Sequence, residues 1–290
     1  MTFSITLKKE QYLTYFLSDS EAISQIAVVP ERGGMIILWK AQGQDILYLD
    51  KERFSNPEMS VRGGVPILFP ICGNIHDNTY NYLNKTYSLK QHGFARDLPW
   101  EITKQETSNC ASLTTTLESN EQTLSVYPFE FRLDFTYELK GNSLIIRQKY
   151  TNKSEKRMPF SFGFHPYYYV PNKSKVVFDI PSSEYQDQAT KKVFSYDGTF
   201  DFERDEIDIG FQSLTCSSAT MVDNHRKLKL VLSWSDVYST FVFWTLKGKD
   251  YICLEPWTAP RNALNTKKKL TELDPGATCE AMFEMSVESI

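Results

Sequence analysis

Four places in this 290-residue chain set chemically active side chains where packing would favour apolar ones, and a buried polar group costs free energy unless something compensates it. Gly163-Phe164-His165-Pro166-Tyr167-Tyr168 places one imidazole in an aromatic strand, and Ile252-Cys253-Leu254-Glu255-Pro256-Trp257 ends an apolar strand on a carboxylate beside an indole. Arg62-Gly63-Gly64-Val65-Pro66-Ile67-Leu68-Phe69-Pro70 feeds a guanidinium and paired glycines into a proline-bounded strand. Gln91-His92-Gly93-Phe94-Ala95-Arg96 gathers donors around one aromatic ring. Each has an ordinary explanation: a satisfied core histidine, a paired glutamate, a surface arginine, a loop. Together, an imidazole, a carboxylate, two guanidiniums and an aromatic platform equip a sugar site with acid and base on opposite sides of the ring.

Other chemistries fit less well. The four histidines, His76, His92, His165 and His225, show no His-x-His or His-x-x-x-His spacing, so no metal site is expected. The glycines match neither Gly-x-Gly-x-x-Gly nor the nucleotide loop. There is no Gly-x-Ser-x-Gly, and a glycosidase needs two carboxylates where only Glu255 stands out.

Lys and Arg total 32 against 36 Asp and Glu, a formal charge of -4. That balance gives no overall field for nucleic acid or an anionic membrane surface. No apolar run approaches the roughly 18 residues of a membrane span, and the first ten residues do not read as a signal peptide. Five scattered cysteines without a Cys-x-x-Cys pair fit a reduced, cytoplasmic protein in which each is a small buried hydrophobe.

The elements that must carry these residues have period two. From 130 to 140, Phe131, Leu133, Phe135, Tyr137 and Leu139 alternate with polar residues, and Leu144, Ile146, Gln148 and Tyr150 continue after Lys140-Gly141-Asn142, which predicts a hairpin with a three-residue loop. The same alternation recurs at 228–234 and 279–287, and shorter strands are expected at 23–29, 35–39, 46–49, 113–117, 176–180, 240–246 and 251–254. Residues 8–16 fit a short helix or an N-terminal strand equally. No helix of three turns is expected. Many short strands without a low-complexity linker predict one all-β domain over 1–290, a sandwich or closed barrel.

In order and content, the four motifs resemble the aldose 1-epimerases, the galactose mutarotase-like proteins, and within them the hexose-6-phosphate 1-epimerase-like branch. The resemblance runs from about Glu31 to Trp257. It implies a large antiparallel β-sandwich and a cofactor-free isomerase that interconverts the α and β anomers of a hexose or hexose 6-phosphate. His165 then matches the general acid that protonates the ring oxygen, and Glu255 the general base that takes the anomeric hydroxyl proton. His92 matches a residue binding near the ring, and Arg62 and Arg96 match positions lining the sugar pocket, where arginines grip the 6-phosphate in the phosphate-using branch. The acidic residue that holds sugar hydroxyls in the mutarotase branch has no clear match; Asp236 and Asp250 are the nearest candidates. The polar run 260–266 has two readings, pocket lining and, as the plainer one, a surface loop. His165 and Glu255 are expected several ångströms apart across an open cleft walled by Arg62 and Arg96. The alternative is a non-catalytic carbohydrate-binding or sensing protein on the same fold.

Overall fold

Alternation of side chains across a pleated strand sends residues i and i+2 to one face and i+1 to the other, and that rule builds most of this molecule. A computed structural model of the chain describes residues 2–290. Its strands form three main sheets, and every ladder between strands is antiparallel. The N-terminal sheet is a meander of five strands in chain order, Phe3–Lys9 to Gln44–Asp45. The second sheet has eight strands, with Thr278–Ser289, Ser143–Asn152 and Phe131–Lys140 adjacent near its middle. The third carries the chemistry: Glu206–Phe211, Thr240–Leu246, Tyr251–Trp257, Gly163–Phe164 and Ile67–Leu68 lie side by side, and Tyr167–Tyr169 also pairs with Tyr251–Trp257. The longest helix has six residues, Glu121–Val126. Among the described residues no helix is long and apolar enough to cross a membrane.

The second and third sheets pack face to face as a β-sandwich through aromatic pairs. Phe164 stacks on Phe283 with ring centroids 5.5 Å apart, and Phe241 on Trp234 at 5.0 Å. One continuous core runs from Leu17 to Val287 and takes side chains from all three sheets.

Parity then decides the other face of the third sheet. Ile252 and Leu254 enter the sandwich core, whereas Tyr251, Cys253, Glu255 and Trp257 point the opposite way. In Thr240–Leu246 the core takes Phe241 and Phe243, leaving Val242 and Trp244 on that outer face, and in Glu206–Phe211 the same logic leaves Asp208 there. The outer face is itself covered by the His92 loop and by residues after Trp257, so all seven residues of Tyr251–Trp257 are buried.

Three expectations change. Residues 8–16 are neither one helix nor one strand: Phe3–Lys9 and Leu13–Asp19 form a hairpin in which Lys9 faces Leu13. The 131–152 hairpin closes with two residues rather than three, because Lys140 pairs with Ser143 and Gly141, at φ +59°, makes the turn. Residues 46–49 contribute isolated bridges, Leu47 to Tyr168 and Leu49 to Gly63, where a strand was expected. That segment changes partner along its length, its backbone bonding in turn to Trp39, Tyr167 and Gly64 rather than to one strand.

If the inter-sheet stack holds the sandwich together, Phe283→Ala should lower unfolding free energy by about 3–5 kcal/mol, the usual cost of deleting a buried phenylalanine. Urea denaturation should show this as a lower midpoint with an unchanged slope.

Candidate active site

The third sheet brings His165 and Glu255 together by register. Gly163 is opposite Trp257 and Tyr167 is opposite Cys253, so His165, midway between, stands level with Glu255 on the neighbouring strand. Directly opposed residues on one face have Cβ atoms about 5 Å apart. Their side chains meet, with Nε2 of His165 3.3 Å from Oε1 of Glu255. Pro166 and Pro256 have no N–H to give the ladder here, and the His165 N–H donates instead to the Pro66 carbonyl at 3.0 Å.

The expected gap of several ångströms across an open cleft is therefore a direct contact. The chemistry allows it, since the ring oxygen and the anomeric hydroxyl of a sugar are bonded to the same carbon, and groups serving both belong side by side.

Both partners are buried: the Glu255 side chain is 1% exposed and that of His165 11%. The other carboxylate oxygen of Glu255 accepts the Trp257 indole N–H at 3.1 Å. Burial raises the Glu255 carboxyl well above its ordinary range, while Arg261, the indole bond and Arg96 pull it back. Burial also pushes the His165 imidazole down to about 3, assisted by Arg96, Arg261 and Arg62. Both shifts act against charge, so burial favours a neutral imidazole beside a neutral carboxyl. The imidazole stacks on Tyr167 at 4.8 Å and meets Trp244 and His92 edge-on.

His92 is fixed by its loop. Gly73 donates its N–H to Nδ1 of His92 at 3.1 Å, and its carbonyl accepts the His92 N–H at 2.7 Å. With Nδ1 an acceptor, the ring proton sits on Nε2. The imidazole lies 5.5 Å from that of His165 and 5.7 Å from the Trp257 ring. Gly93, at φ +70°, lets this loop press on Phe69: a Cβ there would lie 2.2 Å from the Phe69 carbonyl oxygen. Gly73 clears a path for Arg261, whose Cγ would be 2.3 Å from a Cβ at 73.

Arg62 places its guanidinium 5.9 Å from the Trp244 ring centre, and Arg96 donates to the Gln91 carbonyl at 3.0 Å while its Nε is buried without a partner. Among the described residues neither has a carboxylate within 4.0 Å. Both bear on the His165 imidazole electrostatically. The five residues singled out in the sequence thus converge on one face of one sheet.

Sequence reasoning missed Asp208 and placed Arg261 in a run read first as surface and second as pocket lining. Arg261 donates twice to the Asp208 carboxylate, at 2.9 and 3.0 Å, lies 5.4 Å from the Trp257 ring centre, and lines a cleft of about 360 Å³ that reaches Val242 and Trp257 beside Glu255. The loop after Trp257 is part of the site rather than plain surface. Asp236 is exposed and accepts from Ser217, and Asp250 is exposed at a turn end, so neither reaches Glu255. Asp208 had a signal: Glu206-Ile207-Asp208-Ile209-Gly210-Phe211 alternates and puts its carboxylate on the polar side.

For metal ligation, Nε2 or Nδ1 of His165, Sγ of Cys253 and a Glu255 oxygen lie within 4.8 Å of one another. The histidine-spacing test could not find this set, because its members come from two strands distant in sequence.

Comparison with known proteins agrees with this fold. A family model described as Aldose 1-epimerase matches residues 21–286. The structure of the Slr1438 protein from Synechocystis sp. PCC 6803 superposes with a TM-score of 0.95 at 44% identity over 99% of both chains. The chromosomal Protein LacX of Lactococcus lactis is 25% identical over 96% of this chain and 98% of its own. A Cenchrus ciliaris protein named "Putative glucose-6-phosphate 1-epimerase" is 27% identical over 77% of this chain and 72% of its own.

The buried histidines fix the sign of an acid effect. Burial first, then Arg96, lowers His92 well below 6.5, so on acidification the unfolded chain takes up a proton that the native His92 refuses, and stability falls as pH drops below 6.5. Asn tolerates the φ of +68° at position 92 and offers Gly73 an acceptor. Wild type should therefore lose more stability than His92→Asn between pH 7.5 and 5, by up to about 2 kcal/mol. Parallel pH–stability curves from urea melts of the two proteins would refute that assignment.

Proposed function

The chain belongs to the aldose 1-epimerase family, and on that premise we propose that it interconverts the α and β anomers of a hexose or hexose 6-phosphate by general acid–base catalysis at His165 and Glu255. The observation that carries this reading is their 3.3 Å contact in a buried site. Ring opening needs a proton delivered to the ring oxygen and another removed from the anomeric hydroxyl. The proton shared by the pair passes to Nε2, making an imidazolium beside a carboxylate. His165 then gives its proton to the ring oxygen as Glu255 takes the hydroxyl proton. The open aldehyde turns about its C1–C2 bond and closes with both transfers reversed. Each group at about 10²- to 10⁴-fold suffices for a reaction that already runs slowly in water.

His92 would donate its Nε2 proton to a ring substituent, and Asp208, held by Arg261, would accept from a hydroxyl. Among the described residues no carboxylate pairs with Arg62 or Arg96, which favours an anionic group and supports the 6-phosphate, as does the name of the Cenchrus relative. Five free cysteines fit the reducing conditions of a cytoplasmic setting.

NMR exchange between anomers of glucose, galactose and glucose 6-phosphate tests the proposal. Catalytic amounts of protein should accelerate exchange for at least one of them, and Glu255→Gln should lose about 10²- to 10⁴-fold while remaining folded. Saturable sugar binding without faster exchange would instead indicate the carbohydrate-binding alternative.

A further inference from the structure

Cys253 has no part in the acid–base account, yet it stands two residues from Glu255 on the same face of the strand, with its thiol wholly buried. We propose that His165, Cys253 and Glu255 form a binding site for one thiophilic divalent cation of the Zn²⁺ or Cd²⁺ class, which occupies the reaction centre and blocks it.

The argument is geometric. Parity puts Sγ of Cys253 and the Glu255 carboxylate on one face, and register puts His165 opposite Glu255, so nitrogen, sulfur and oxygen donors lie within 4.8 Å of one another. Zinc bonds of about 2.0–2.3 Å give tetrahedral edges of about 3.3–3.8 Å. The His165–Glu255 separation of 3.3 Å already has that size, and side-chain rotation brings the thiol in. Three protein ligands leave a fourth position for water. Nδ1 of His165, buried and without a partner, offers a second nitrogen on the same ring.

Arg62, Arg96 and Arg261 oppose a cation. Arg261 is already paired with Asp208. Ligation also exchanges charge, because the S–H bond breaks, an S–metal bond forms and the thiol proton leaves to solvent. Any carboxyl proton on Glu255 leaves the same way, so the ion meets two negative ligands. No oxidation state changes. The ion enters past the His165 edge, the one exposed part of the three side chains.

Binding stands on these atoms alone; blockade rests on the catalytic reading of the pair. The test titrates metal-free, full-length protein with Cd²⁺ and follows thiolate-to-cadmium ultraviolet absorption. One equivalent per chain should develop the band, Zn²⁺ should displace it, and Cys253→Ser and Cys253→Ala should each bind Cd²⁺ at least tenfold more weakly while keeping wild-type anomer exchange. Zn²⁺ should stop exchange in wild type and spare both variants at the same concentration. A one-equivalent band that survives in the variants, or equal Zn²⁺ inhibition of all three proteins, overturns the proposal; Cys216, exposed, would be the next thiol to assign. If no sugar exchanges faster with wild type, the catalytic reading fails while the cadmium band still decides the site.

Discussion

His165 and Glu255 meet because antiparallel register carries them to the same level of two neighbouring strands, between Gly163 opposite Trp257 and Tyr167 opposite Cys253. Proline follows each of them and leaves the ladder without an N–H at Pro166 and Pro256, while pairing holds on either side at Gly163–Trp257 and Tyr167–Cys253. The backbone is released there while the side chains stay in cross-strand contact. Behind them Ile252, Leu254 and Phe164 enter the sandwich core, where Phe164 stacks on Phe283 of the opposing sheet. The site inherits its rigidity from that packing, which is why a catalytic constellation on a sheet can be more exact than one on loops.

Burial would make an isolated imidazolium or carboxylate expensive, and the neighbours apportion the cost. Three guanidiniums disfavour charge on His165, and two of them, with the Trp257 N–H, favour charge on Glu255. One proton passed across the 3.3 Å contact would leave the pair neutral overall whichever partner held it. His92 joins as a neutral donor because the Gly73 N–H occupies its other nitrogen. These neighbours leave His165, Glu255 and His92 together without favouring a fixed charge on either imidazole.

Much of this was legible in the sequence. Period-two runs marked the strands at 131–140, 228–234 and 279–287, since one face of each meets the core and the other does not. The site motifs stood out because proline and glycine bracket polar residues within apolar strands. Less legible was whatever depends on cross-strand register between distant segments. Asp208 is visible as a polar position in an alternating strand, but only its place two strands from Tyr251–Trp257 sets it near Glu255. Arg261 follows a strand end in a polar run that looks like surface, and it is Gly73, 188 positions earlier, that makes room for it. Cys253 read as core because its strand is apolar on both faces. The N-terminal hairpin was ambiguous because its turn at 10–12 interrupts an alternation too short to declare its phase.

The claim that His165 and Glu255 act as one unit is tested most directly by a double-mutant cycle on anomer exchange, with His165→Gln, Glu255→Gln and both together. Groups that share one proton cannot work separately, so the double variant should exchange anomers within about tenfold of the slower single variant. Losses that multiply, or a single variant that keeps the wild-type rate, would contradict the account.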